Sequence, residues 1–208
     1  MKLETGSFPA GGRIGAQFAF CDFDAATHVA WSGNRNPDLS WSQPPDGTRS
    51  FVLLVHDSDV PSQGHDVNKE GREVPEGLAR VDFFHWVLID IPPATRGIAA
   101  GEFSDGVTAR GKGGPDGPGG TRQGINGYTN WFAGDPDMEG VYHGYDGPCP
   151  PWNDSLIHHY HFTLYALDLD TCPVDGQFTG FDVRAAIDGH ILAQTELVGT
   201  YTLNPRLR

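Results

Sequence analysis

Lysine is scarce in this chain. It stands only at Lys2, Lys69 and Lys112, and the 14 basic residues face 27 acidic ones, for a formal charge of −13 at pH 7. The arginines are scattered singly. No basic stripe exists of the kind that duplex DNA or an anionic membrane surface requires, which excludes nucleic acid as a partner. The acidity itself reads as solubility and self-repulsion. Long apolar runs are missing as well. The longest, such as Phe51–Val55, are strand-sized and far from the ~20 residues of a membrane span, so no integral membrane segment is expected. The first six residues carry no apolar stretch and do not read as a secretory signal. Cysteine occurs three times, at Cys21, Cys149 and Cys172, an odd count without metal-type spacing. The expectation is a cytoplasmic chain with reduced, mostly buried thiols.

What is abundant is glycine and proline. They fill 28 and 16 of the 208 positions, about a fifth of the chain where average usage is nearer ~12%. Few long helices survive that density of breakers. The chain is still globular in composition, and it is long enough to bury a core without a disulfide or metal staple. We read residues 1–208 as a single domain.

Strand signals alternate with turns along the chain. Residues 15–20 and 29–31 read as short strands, Asn36–Ser42 as a turn followed by a short strand, and Pro44–Gly47 as a turn. Phe51–His56 and Phe83–Ile91 are continuous apolar runs, the mark of strands buried on both faces. His159–Asp168 puts Tyr160, Phe162, Leu164 and Ala166 on one face and His161, Thr163, Tyr165 and Leu167 on the other. Residues 61–82 and 111–120 read as loops. Asp182 is placed to cap a short helix over Val183–Leu192, and Glu196–Leu203 reads as a last strand. The total is roughly seven to nine strands and one or two short helices joined by long loops. That predicts a mainly β chain, an all-β or mixed sandwich with helical decoration.

Three segments combine ionisable groups with stiff backbone at strand ends, where a rigid sheet can aim a loop. In the first, Asp57 and Asp59 follow an apolar strand and are pinned by Pro61. Such a pair suits metal or acid–base work, or equally a capped turn. His85 lies inside an apolar strand, where an imidazole is as readily a core residue as a ligand contact. The third segment joins the stiff wall of Gly147, Pro148, Cys149, Pro150 and Pro151 to the histidines at 158, 159 and 161 and to Tyr160. No HExxH or CxxC spacing accompanies them, and neither metal nor cofactor is expected. Cys149 has no activating neighbour in sequence.

These segments together resemble the phosphatidylethanolamine-binding protein family, in its bacterial Raf-kinase-inhibitor-like branch. Asn36–Trp41 is similar to the family's N-x-SP-x-L-x-W strand. Residues 57–62 are similar to its DPDxPS signature, with Ser58 in place of the usual proline. His85–Pro93 and the run from Gly147 through Asp168 match two further motifs in order, with His159 where the family usually has arginine. The resemblance covers residues 15–203. It implies two antiparallel sheets, a two-sheet β-sandwich, with a small anion-accepting pocket at one end. Asp57, His85, His158 and Tyr160 would line that pocket, with Asp59 beside them, and Gly147, Pro148, Pro150 and Pro151 would form its wall. Histidine and tyrosine donors suit a phosphate or carboxylate, and Asp57 would orient an imidazole and raise its pKa. The resemblance implies a non-enzymatic binder of a small anion or phospholipid head group, and homodimers among bacterial relatives. Kinase or protease inhibition through the loops at 62–82 and 111–146, as eukaryotic relatives suggest, is the alternative. A hydrolase or metalloenzyme using Asp57, Asp59 and the histidines is a third.

Overall fold

Strands β5 (Ser50–Pro61) and β6 (Arg80–Ile91) form the middle of the structure, a computed structural model describing all 208 residues. They belong to an antiparallel five-stranded sheet of order β10-β9-β5-β6-β8. Its other members are β8 (Arg122–Gln123), β9 (His158–Leu167) and β10 (Ile191–Tyr201). A smaller sheet, order β1-β4-β7, is built from Lys2–Glu4, Leu39–Ser42 and Gly97–Ile98. A two-stranded hairpin, β2 (Cys21–Asp24) with β3 (His28–Trp31), completes the β structure.

The two larger sheets share one core. Leu3, Leu39, Trp41 and Ile98 from the small sheet pack with Phe51, Leu53, Val55, Trp86, Phe162 and Leu164 from the large one. The alternate residues of β5 and β6, including Val52, Leu54, Val87 and Ile89, enter a second core with Val183 and Ile187. Those two come from helix α2 (Gly180–Ala186) and its C-cap. Both faces of β5 and β6 are therefore covered. That is why these strands lack the apolar–polar alternation of a half-exposed sheet, and each fully buried Leu, Val or Phe contributes roughly 1.5–3 kcal/mol. The mainly β sandwich predicted from the sequence is the fold observed.

Several boundaries differ. The strand expected at 15–20 is a 3-10 turn, Ala16–Phe18, followed by an irregular stretch. Phe18, Ala19 and Phe20 are all buried, and their backbone turns back on itself, with Phe18 N donating to Gly15 O and Ala19 N to Ala16 O instead of to a neighbouring strand. Asp182 is not the helix N-cap. Thr179 caps α2, and Asp182 sits at the third position, where its carboxylate accepts from the Thr179 N–H at 2.8 Å in a capping box. A second helical turn, α1 (Tyr128–Trp131), was not foreseen. The last strand begins at Ile191, with an irregularity before Ala193.

The thiols are not all reduced. Cys21 and Cys149 form a disulfide with Cα atoms 5.1 Å apart, and only Cys172 is free. The sequence expectation failed because 128 residues separate the partners. Only the fold brings β2 against the proline wall, where Phe20 N donates to Pro148 O at 2.9 Å.

The loop at 111–146 is not a detached surface segment either. Tyr128, Phe132, Met138, Tyr142 and Tyr145 from it are core residues. The β5–β6 loop is organised by one side chain, Asn153, whose Nδ2 donates to Asp66 O at 2.9 Å and Arg72 O at 3.1 Å.

Candidate functional site

A cavity of about 200 Å³ opens at the end of β5, β6 and β9. Strand pairing builds its floor. Asp57 on β5 lies opposite Tyr160 on β9 and Phe83 on β6. His158 and Tyr160 alternate onto the same face of β9, and all of Asp57, His85, His158 and Tyr160 are buried. The sides are apolar: Val60, Pro61, Phe83, Tyr128 and Trp131 line the cavity, with Cys149, Pro150 and Pro151.

His158 is held at both ring nitrogens. Nδ1 is 2.8 Å from Asp57 Oδ2, and Nε2 is 3.1 Å from Asp154 Oδ2. Asp154 in turn accepts from Arg80, at 2.6 Å for Oδ2. Burial alone would lower the His158 pKa, but the two carboxylates outweigh it and raise it to about 9. Burial would likewise raise Asp57 and Asp154. The charge of His158 on Asp57, and the hydrogen bonds of His158 and Arg80 on Asp154, hold both carboxyls below the usual range. Two carboxylates therefore face two cations, and the quartet is electrically balanced.

His85 and Tyr160 are in a different state. His85 Nδ1 donates to Asp146 O at 2.7 Å, with the Gly147 backbone also close to the ring, and Nε2 makes no well-aligned hydrogen bond in the chain. Burial outweighs the nearby Asp57 charge and lowers the His85 pKa, so the ring is neutral at pH 7. It packs edge-on to Tyr160 and Tyr128, with centroids at 5.2 and 5.6 Å. Burial, reinforced by the Asp57 charge, keeps the Tyr160 hydroxyl protonated well above its ordinary range. That hydroxyl is buried and makes no well-aligned hydrogen bond within the protein; the Asp57 carboxylate is near enough to act on it, but a donor left without good geometry costs about 1–3 kcal/mol unless something else accepts it.

The wall is rigid for local reasons. A Cβ at Gly147 would lie 2.1 Å from Phe18 O, so only glycine fits. Gly147 N donates to Asn34 Oδ1 at 2.8 Å, and Gly147 O accepts from Tyr128 Oη at 2.8 Å. Behind it, the buried Asp146 carboxylate accepts from Asn34, Asn126 and Lys112.

A family model described as phosphatidylethanolamine-binding protein matches residues 4–202. The chain belongs to the phosphatidylethanolamine-binding protein family. Among similar members, a UPF0098 protein of Methanothermobacter thermautotrophicus is 31% identical over 97% of this chain and 98% of its own length. YbhB of Escherichia coli is 30% identical over 81% and 82%. The crystal structure of E. coli YbcL, described as a new member of the mammalian PEBP family, superposes with a TM-score of 0.68 at 25% identity, covering 97% of each chain.

Of the site residues expected from this family's motifs, Asp57, His85, Pro150, Pro151, His158 and Tyr160 meet at the cavity. Asp59, Gly147 and Pro148 do not line it. Asp59 turns to the surface, where its Oδ2 is 2.8 Å from His159 Nδ1. Gly147 and Pro148 anchor the wall from behind through their backbones. Sequence reasoning missed Phe83, Tyr128 and Trp131, which come together only through long-range packing. It also missed Asp154, whose signal was its position four residues before His158.

Proposed function

We propose that the cavity is a binding site, not a catalytic one, for a small ligand bearing phosphate or carboxylate, of the kind a phospholipid head group presents. The observation that carries this reading is the buried Tyr160 hydroxyl, an unpaired donor beside the unpartnered Nε2 of His85. Orphaned buried donors are rare in proteins, and an anionic oxygen is the partner such a donor suits best. The apolar sides and the volume of about 200 Å³ match a head group better than a large metabolite.

Charge balance sets the terms of binding. His158 already has two carboxylates and offers the ligand nothing directly. The added positive charge comes from a proton taken up by His85 when the anion enters. The anion raises the pKa of His85 from its depressed value, and Tyr160 supplies the neutral hydrogen bond.

The reading is tested by titrating phosphoethanolamine and inorganic phosphate into wild type and Tyr160→Phe by calorimetry. A hydrogen bond to a charged group is worth about 1.5–3 kcal/mol, so the variant should bind at least ~10-fold more weakly while keeping its thermal stability. Equal affinity in the two proteins rejects the assignment.

No helix is long and apolar enough to cross a membrane. The cytoplasmic setting expected from the sequence rested on reduced thiols, and the Cys21–Cys149 bond removes that ground, since such bonds persist in oxidising compartments. A thiol count on protein taken from its own cells decides between the two settings.

A further inference from the structure

Ser58, His161 and Glu196 lie on three adjacent strands, β5, β9 and β10. His161 alternates with Tyr160 along β9, so the group sits on the sheet face away from the cavity. Ser58 Oγ is 3.1 Å from His161 Nε2. His161 Nδ1 is 3.3 Å from Glu196 Oε1. The Glu196 carboxylate lies on the Nδ1 side at ion-pair distance and favours the tautomer with the proton on Nδ1; in that tautomer Nε2 accepts and the Ser58 hydroxyl donates. That is the order of contacts a nucleophile, its base and the orienter of the base require.

The surroundings hold each member in place. Between Asp57 and Val60 the β5–β6 register shifts, so Ser58 and Asp59 stand opposite the single residue Asp82. A bulge of this kind re-aims a side chain. Thr163 Oγ1 donates to Glu196 Oε2 at 3.1 Å and steadies the carboxylate. His56 stacks on His161 with centroids 4.9 Å apart and ring planes at 20°, which restricts its rotation. Burial first, then the Arg184 guanidinium, push His56 down to about 4. The ring packed on His161 is thus neutral at pH 7 and does not oppose a proton arriving there.

We propose that Ser58 is an activated nucleophile, with His161 as its general base and Glu196 orienting that base, and that it accepts acyl groups from small activated carboxylic esters. Ser58 Oγ attacks the ester carbonyl carbon while its proton passes to His161 Nε2. The tetrahedral adduct collapses, the bond to the leaving oxygen breaks, and His161 returns the proton to the departing alcohol. The acyl group remains on Ser58. Water, deprotonated by the same imidazole, then attacks the acyl carbon, releasing the carboxylic acid and restoring Ser58. The sum is ester plus water giving acid plus alcohol. His161 is 23% exposed and Glu196 45%, so the reaction runs on an open face. An open face of this kind lacks the enclosed, preorganised donors that lower a high acyl-transfer barrier, which restricts the chemistry to esters with good leaving groups and excludes amides. This site is independent of the cavity and of the ligand proposed for it.

The full-length protein is incubated with p-nitrophenyl acetate and, separately, with a fluorophosphonate probe, followed by peptide mapping and stopped-flow detection of nitrophenolate. The expected result is one group per chain on Ser58 and a burst of about one equivalent. Ser58→Ala should lose both and retain phosphoethanolamine binding. His161→Gln should slow acylation about 100-fold or more, the scale of general-base assistance. Glu196→Gln, at a half-exposed position, should fold normally and slow it at least ~10-fold. Unmodified Ser58 in folded wild type overturns the proposal. So do labelling at other residues only, or equal rates in wild type and Glu196→Gln.

Discussion

Nε2 of His158 faces the Asp154 carboxylate at 3.1 Å, while Nδ1 of the same ring faces Asp57. This changes the part His158 plays. The family motif suggests a histidine that meets the ligand. The geometry makes it a charged keystone in the cavity lining, with both ring nitrogens already paired, and it leaves His85 and Tyr160 as the groups free to bind.

The keystone should titrate late. His158 is raised to about 9 from an ordinary 6.5. A group whose folded pKa is raised adds stability that is fully present below its unfolded pKa and is lost as pH rises through the folded one. The stability of wild type minus that of His158→Gln should therefore shrink between pH 6.5 and 9, by on the order of 3 kcal/mol. Chemical denaturation at several pH values measures the difference. Asp154→Asn should bring the His158 titration, followed by NMR, clearly below that of wild type. An unchanged titration would remove Asp154 from the network.

Asp57 and Asp154 act with the opposite sign. Both carboxyls are held below their ordinary value, so their contribution is present above pH ~4 and is lost on acidification through their folded pKa values. Asp57→Asn should flatten the acid limb of the stability profile. A limb identical to that of wild type would show that Asp57 is not held ionised by His158.

The disulfide closes a loop of 128 residues. A bridge of that span contributes roughly 2–5 kcal/mol by restricting the unfolded chain. Reduction, or Cys21→Ala with Cys149→Ala, should lower Tm by about 5–15 °C for a chain of this size. Cys149 also lines the cavity, so head-group binding should weaken in parallel. A melting curve insensitive to reductant would contradict the bond's role.

Gly147 leaves no room for a side chain. Its substitution in Gly147→Ala would drive a methyl into Phe18 O and cost about 1–3 kcal/mol, the scale of overpacking elsewhere. Thermal melts check this directly, and a neutral substitution would show that the wall is not tightly set.

Much of this was legible in the sequence. Phe51–His56, Phe83–Ile91 and His159–Asp168 announced the three strands that build the cavity, because burial on one or both faces leaves a pattern in the residues themselves. Asp57, His85, His158 and Tyr160 followed from motifs on those strands. What was not legible depends on distance along the chain. Cys21 finds Cys149, Ser58 finds His161, and Tyr128 reaches the cavity from a loop with no periodicity. No local pattern encodes such meetings; strand register and loop packing decide them. The 15–20 segment failed for a related reason, since its aromatic residues are buried against the proline wall, with Phe20 N donating to Pro148 O, and not in a strand ladder.

The central claim is that the cavity gains its positive charge from a proton taken up on His85. Glycerophosphoethanolamine is the suitable probe, because its phosphodiester carries one negative charge throughout the range. Of the other titratable groups facing the cavity, Asp57 is held ionised, His158 stays charged to about 9, and burial keeps Tyr128 and Tyr160 protonated. The decisive measurement is its dissociation constant by calorimetry from pH 5 to 8, for wild type and His85→Gln. The account predicts tightest binding at the acid end, weakening up to ~10-fold per pH unit once pH exceeds the depressed pKa of free His85, and a flat profile in the variant. Wild-type affinity that is independent of pH, or that rises with it, would contradict the account.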